Sequence, residues 1–547
     1  MVRATFAGFG AALSALQANQ KRLDITGQNL ANMNTPGYTR QQLRTSSLNY
    51  TASPSHYASN PAISVGFGVS MDAVTQIRDP YLDVQYREQI GKSGYTDAFQ
   101  TALDSLANVL DETSISGIRK AFENIQSTLT NMQDLPKVND VVYETELRSR
   151  MEALTNLLND ASRQITSAEK DEFSRLDGTG TSENGAVQEV NDILRQIGSL
   201  NRQIKQNQIT GQPSLELMDE RNLLLDELAS YVPIEVTYFK DEDHDGIFYD
   251  VDGNLDTAAG NRELYDYDSK GNIIGKKDWP DDLKVELLYT DTDGNPQRLT
   301  LVNGSEGRGD ANYATFSITG GSRDNPTGAE LSVTPAGSAV GGADDIPFSA
   351  AQNQFSSGSI QASLDMLGKN GTGADSDVRG YQFYMNQLDT LARTFAETMN
   401  TINNANITGV KDKYLLINKD TTTSTGGVVT EDVANITAAN IGISLNWTKG
   451  DTHITTAGDS TTDTVLDLLN AMSSTYAGLG NKSFADFMNN TSTLLANDSS
   501  SNQTALKTNV TVLNGIQNSR DSVSGVSMDE EAANMMTYIS AYNAASS

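Results

Sequence analysis

The stretch NLANMNTPGYTRQ, Asn29 to Gln41, decides how this chain is organised. Upstream of it, Phe6, Phe9, Leu13, Leu16, Gln20, Leu23, Gly27 and Leu30 recur at alternating steps of three and four, the a and d positions of a helical seam. Pro36 biases Thr35 away from helical geometry, and Gly37 accepts a left-handed turn. The helix must therefore end in Asn34-Thr35-Pro36-Gly37, with Tyr38 to Gln41 opening an extended segment that carries Arg40. Taken alone, an ordinary turn with a solvated Arg40 satisfies this pattern.

The far end of the chain changes that reading. Met528, Ala532, Met535, Ile539 and Tyr542 form a second seam, and Asp529, Glu530 and Glu531 place negative charge in its first turn, where the helix dipole favours it. Chain ends usually read as polar and frayed. An isolated helix is marginal in water, so both seams need partners, first each other and then further subunits. The stretch from Asn34 to Arg40 then reads as an elbow between paired terminal helices and the rest of the molecule. Arg40 and Arg44 become expected subunit contacts. The plainer alternative is a helix hairpin capping a monomeric domain.

Bulk composition narrows the function. The 547 residues carry 39 Lys and Arg against 70 Asp and Glu, a net charge of −31. Nucleic acid and anionic membrane surfaces both demand the opposite sign. There is no cysteine, which excludes disulfides, thiolate nucleophiles and Cys-type zinc sites. Residues 1–20 are interrupted by Arg3, Ser14, Gln17 and Asn19 and do not read as a cleaved secretory signal. No run of some eighteen apolar residues reads as a membrane span.

Between the ends, apolar stripes at helical spacing predict a bundle. Phe99, Leu103, Leu106 and Leu110 form one stripe, Ile118, Phe122, Ile125 and Leu129 another, and Leu147, Met151, Leu154 and Leu158 a third. A long helix with Val190, Ile193, Leu194, Ile197, Leu200 and Ile204 follows. From Val232 the pattern alternates in the β manner, broken by Asp-Gly turns. The expected fold is multidomain α+β. Coiled-coil-like terminal helices (1–35 and 520–547) form one paired domain. A mainly helical bundle (36–235 and 360–519) follows, with a loop or β segment at about 403–483, and an antiparallel β-rich outer domain (236–359) is inserted in it.

Chemical motifs are few. Asp241, Asp243, Asp245 and Gly246 match the first half of a calcium loop, with Asp252 at the twelfth position. That Asp is shorter than the usual bidentate Glu and β segments flank it, which favours an acidic turn with solvated carboxylates; calcium is the alternative, and no other cofactor is expected. Arg308-Gly309-Asp310 is a chance-level integrin-type tripeptide. His56, His244 and His453 sit in polar contexts without paired spacing, and neither a nucleophile elbow nor a phosphate-cradling glycine loop is present. No enzyme is expected.

With these features in view, QNLANMNTPGYTRQ resembles the N-terminal signature of the flagellar rod, hook and hook-associated protein family, and its ending GYTRQ is most similar to the hook-associated protein 1 branch. LDETSISGIRKAFENIQSTLTNMQDL (from Leu110), ELMDERNLLLDELASYVPIEV (Glu216 to Val236), VRGYQFYMNQLDTLARTFAETMNTINN (from Val378) and SVSGVSMDEEAANMMTYISAYNAASS (Ser522 to Ser547) resemble further segments of that branch. The resemblance covers little of 239–359 or 403–483. The family's terminal helix runs on past the position of Ser547, so the resemblance implies an incomplete C-terminus. It further implies paired terminal helices in an inner tube, β modules facing outward, and type III export to an extracellular flagellum without a cleaved signal. The implied partners are the hook protein, hook-associated protein 3, other copies in a ring and an export chaperone. The alternatives are a hook- or flagellin-type subunit polymerising alone, and a surface adhesin acting through the acidic β module.

Overall fold

The computed structural model describes residues 7–47, 68–110, 112–133, 140–178, 184–240, 264–267, 273–277, 279–305, 312–349, 353–372, 378–405, 407, 409–425, 428–455 and 463–546. Helix α1 (Ala7–Asn32) leads into an antiparallel hairpin of β1 (Gln41–Ser47) and β2 (Val69–Gln76), with a bulge between Arg44 and Thr45. The hairpin lies along α1, and α1 also packs against the last helix, α12 (Met528–Ser546). The two ends of the chain thus form one unit.

The helical layer is built from α2 (Pro80–Val109), α3 (Glu112–Asn131), α4 (Val141–Asp177), α5 (Ala186–Ile209), α6 (Leu215–Tyr231), α7 (Ser359–Gly368), α8 (Tyr381–Asn403), α10 (Asp463–Ser473) and α11 (Phe484–Ser524). Local chemistry sets several boundaries. Asp79 accepts from Tyr81 N at 2.9 Å ahead of Pro80 at the start of α2, and Asp140 accepts from Val142 N at 2.9 Å to open α4. Gly178, at φ 83°, closes α4 in the left-handed conformation. The stripes read from the sequence are the core: Leu103, Leu106, Ile118, Ile125, Leu147, Met151, Leu154, Val190, Leu194 and Ile197 are all fully buried.

The β-rich segment comprises β3 (Ile234–Phe239), β4 (Leu264–Tyr267), β5 (Ile273–Lys277), β6 (Asp282–Thr290), β7 (Pro296–Asn303), β8 (Thr315–Thr319), β9 (Glu330–Thr334) and β10 (Ile346–Phe348). They pair antiparallel in the orders β3-β6-β7, β8-β9-β10 and β4-β5. Val285, Leu287, Leu301, Leu331 and Val333 join the helical residues in one continuous apolar cluster, because the first two sheets rest on α5. Asn191 fastens this contact, donating to Phe316 O at 2.8 Å and accepting from Phe316 N at 2.7 Å.

A second small lobe holds β11 (Leu416–Asn418) paired with β14 (Ile441–Ile443), β12 (Thr423–Thr425) paired with β13 (Val428–Thr430), and the short helix α9 (Leu445–Lys449). Helix α10 falls inside the segment read as loop or β. Its apolar set, Val465, Leu468 and Met472, spans barely two turns between polar stretches.

Candidate assembly site at the helix joint

Two strands of chain leave the terminal helix pair: the elbow after α1 and the Ser524–Ser527 link between α11 and α12. Around them charged side chains gather from five elements. The elbow itself is a tight turn, with Thr35 N donating to Asn32 O at 2.9 Å and Tyr38 N to Thr35 O at 3.2 Å. Asn34, Thr35, Pro36 and Gly37 are exposed. Gly37 sits at φ 74°, and a Cβ there would lie 2.5 Å from Leu223 Cγ, so both backbone and space demand glycine.

The following residues are stitched inward. Buried Asn29 donates to Gln41 O and accepts from Gln41 N, each at 3.0 Å, and also accepts from the Tyr38 hydroxyl at 3.0 Å. Thr39 donates to Asp219 of α6 twice, from N at 3.1 Å and from Oγ1 at 2.6 Å. Arg40 N donates to Ser524 O, and Ile77 N donates to Arg40 O, both at 2.9 Å. The Arg40 guanidinium, expected to reach a neighbouring subunit, engages its own chain here: Nε donates to Glu531 Oε1 at 2.7 Å and Nη1 to Glu530 Oε2 at 2.8 Å. Arg44 is exposed on β1.

Beneath the elbow lies an ionic network that the sequence reading missed. Arg78 makes a two-bond fork to Asp83, both at 3.1 Å. Arg520 Nε reaches the same carboxylate at 2.8 Å, and Arg520 Nη1 reaches Asp226 at 2.6 Å. Arg87 Nε completes the set on Asp226 at 2.9 Å. Arg520 also stacks 4.8 Å from the Tyr86 ring centroid. A polar cleft of about 680 Å³ opens here, lined by Tyr38, Arg40, Asp219, Leu223, Arg520 and Glu530 among others.

The electrostatics follow from burial. Desolvation pushes the Tyr38 hydroxyl up to about 12, helped by Glu216, Asp219 and Glu531. Burial likewise raises the Asp219 carboxyl, outweighing the bonds from Thr39. For Arg520 burial pulls downward, but Asp226 and Asp83 overcome it and hold the guanidinium above its ordinary value. One signal was legible. In ELMDERNLLLDELA, Asp219, Asn222 and Asp226 fall at steps of three and four on a face that also buries Leu215, Leu225 and Leu228.

The seam residues divide between two faces. Phe6 lies outside the described residues. Phe9 and Leu13 are 69% and 56% exposed, while Leu16, Leu23 and Leu30 are half-buried. The face of α1 turned to the hairpin and α12 buries Ala18, Asn19, Ile25, Thr26 and Asn29 instead. On α12, Met535 and Tyr542 are half-buried, whereas Met528 and Ile539 are exposed, and the one buried residue is Glu531. A two-helix pair covers one stripe per helix; here Ile25 with small and polar residues fills the buried face of α1, while Phe9, Leu13, Met528 and Ile539 remain outside.

Asp241, Asp243, Asp245 and Asp252, along with Arg308 to Asp310, His56 and His244, also lie outside the described residues. Among the described residues no group of three or more His, Asp or Glu side chains is placed to hold a metal. His453 Nδ1 lies 3.0 Å from Glu144 Oε2, at the foot of the β11–β14 lobe.

Residues 103–412 match the family described as the flagellar hook-associated protein FlgK helical domain, more than half of the chain. The chain belongs to the FlgK family of flagellar hook-associated proteins. Residues 9–39, which are α1 and the elbow, match a second family, the flagella basal body rod protein. This FlgK-family chain is 28% identical to flagellar hook-associated protein 1 of Bacillus subtilis over 563 residues, covering 99% of this chain and 95% of the relative. It is 24% identical to the Salmonella typhimurium protein of the same name, covering 96% and 94%. The Escherichia coli protein is 26% identical over 309 residues, covering 54% and 50%. FlgK-family proteins are structural parts of the flagellum at the hook–filament junction, so this chain is an extracellular structural component and not an enzyme. No helix among the described residues is long and apolar enough to cross a membrane.

Proposed function

We propose that this protein acts as an adaptor ring that polymerises through its terminal helices, meeting the hook protein on one side and hook-associated protein 3 on the other. The division into inner-tube helices, helical layer and outward β segment belongs to the same proposal, as does an export chaperone for the C-terminal helix. One observation carries the reading: α1 and α12 pair with each other yet leave Phe9, Leu13, Met528, Met536 and Ile539 exposed. Exposed large apolar residues aligned on a helix pair mark a surface awaiting further helices. The joint then fixes the direction in which that surface is presented. Deleting residues 1–40 tests this. The remaining chain is expected to fold and be made, while the cells lose filaments above intact hooks in electron micrographs. Filaments on such cells would refute the role.

A further inference from the structure

A chain with 31 excess negative charges repels its own copies, so any close approach between copies needs a place where the sign is locally reversed. Such a place lies away from the joint. A cleft of about 560 Å³ between α4 and the β11–β14 lobe is lined by α4 residues that include Arg163, Thr166, Ser167 and Lys170, with Lys419 and Ala439 opposite. Their spacing along α4 puts these four helix residues on one face, and none of the lining residues is acidic. Each cation has a partner within the chain, and that of Lys419 is uncharged. Arg163 contacts Asp160 and stays 75% exposed; Lys170 lies 3.8 Å from Asp324, itself fully exposed; Lys419 contacts Asn159.

The opposite charge sits across the helical layer. Helix α10 buries Val465, Leu468 and Met472 against α3 and α8. Its other face exposes Asp463, Leu466, Asp467 and Asn470. Helices α3 and α8 in turn pack against α4, so they separate the acidic face from the basic cleft. A molecule with complementary, non-identical patches on opposite sides joins head to tail, the arrangement that closes rings.

We infer that the α4–Lys419 cleft receives the acidic outer face of α10 from a second copy of this chain, forming a ring contact in the helical layer. This rests on the ring-forming reading above and adds a second contact to the one at the terminal helices.

The test replaces the native gene with Lys170→Glu plus Lys419→Glu. At least tenfold fewer hooks should carry filaments, and adding Asp463→Lys plus Asp467→Lys to the same chain should restore them, because each reversed cleft then meets a reversed helix. Wild-type filament numbers on the cleft variant, or no recovery in the charge-swapped chain, would overturn the contact. Because the native chain lacks cysteine, Ser167→Cys with Asn470→Cys gives an independent readout that does not depend on the charged variant folding. Oxidation of isolated hook–filament particles should yield multimers of this chain alone. Unlinked chain, or a cross-link to a different protein, would overturn the assignment. Filaments on cells lacking the gene would refute the junction role instead, while the disulfide result would still decide the cleft.

Discussion

Arg40 and Glu531 are 491 positions apart in the chain, yet Nε of one donates to Oε1 of the other at 2.7 Å, with the glutamate only 2% exposed. This bond sets the register of α12 against the elbow. Removing the arginine leaves a buried carboxylate without its counter-charge, which costs about 2–4 kcal/mol when a largely buried pair is broken from one side. Arg40→Ala should therefore speed hydrogen exchange across α12 while leaving the amides of α4 at their native rates. Equal protection of α12 in both proteins would show that the pair does not hold the helix.

Gly37→Ala tests the turn. A side chain at φ 74° is strained, and its Cβ would strike Leu223. The substitution should destabilise the joint by about 1–2 kcal/mol. Leu223→Ala in the same chain should recover the steric part and leave the backbone part. A double-mutant cycle on urea midpoints separates the two, and strict additivity would count against the contact.

Glu144 anchors the β11–β14 lobe to the first turn of α4. It accepts from Trp447 Nε1 at 2.7 Å and from Ile454 N at 3.1 Å. Glu144→Ala would strand two buried donors, at about 1–3 kcal/mol each. Trp447 is one of only two tryptophans, so its emission should shift to the red as the lobe loosens, at denaturant levels where the parent is unmoved.

Acid should stabilise this protein before it harms it. Burial raises the carboxyls of Glu169, Glu172, Asp219 and Asp389 above their ordinary values. A group that binds its proton more tightly when folded penalises folding wherever the unfolded chain is ionised. That penalty is full at neutral pH, shrinks as pH falls through the raised folded values, and disappears below the unfolded range of about 4. The melting temperature should accordingly rise as the pH is lowered from neutral toward the unfolded carboxyl range of about 4, and Glu169→Gln should flatten that rise. A melting temperature falling steadily with pH over this interval would contradict it.

Periodicity disclosed the bundle core and the two terminal helices, since Leu103 to Leu110 or Ile118 to Leu129 can bury as helices and in no other regular way. The position of the elbow was equally legible, because Pro36 and Gly37 act through local backbone sterics. What held the elbow was not. Arg78, Arg87 and Arg520 look like solvated surface charge in a linear reading, and only the meeting of α2, α6 and α11 shows that they neutralise Asp83 and Asp226. The intrachain partners of Arg40 were hidden for the same reason: Glu530 and Glu531 lie at the opposite end of the chain. The packing of β6 and β8 onto α5 was hidden too, as it depends on Asn191 and on Asn201, which donates to Leu283 O of β6 at 3.2 Å, and local pattern marks both as polar surface.

The bond from Arg40 N to Ser524 O has a mechanical meaning. A domain hung on a single strand swivels about its backbone dihedrals, and torque applied to it dissipates as rotation. Here the two covalent links between the terminal unit and the body, at Ile77 and at Ser524, are tied through Arg40, whose N donates to Ser524 O and whose O accepts from Ile77 N, both at 2.9 Å. Twisting one part against the other must shear that tie or wind the strands around each other. The joint can bend, but it resists being spun, which is the property needed of a coupling in a rotating shaft.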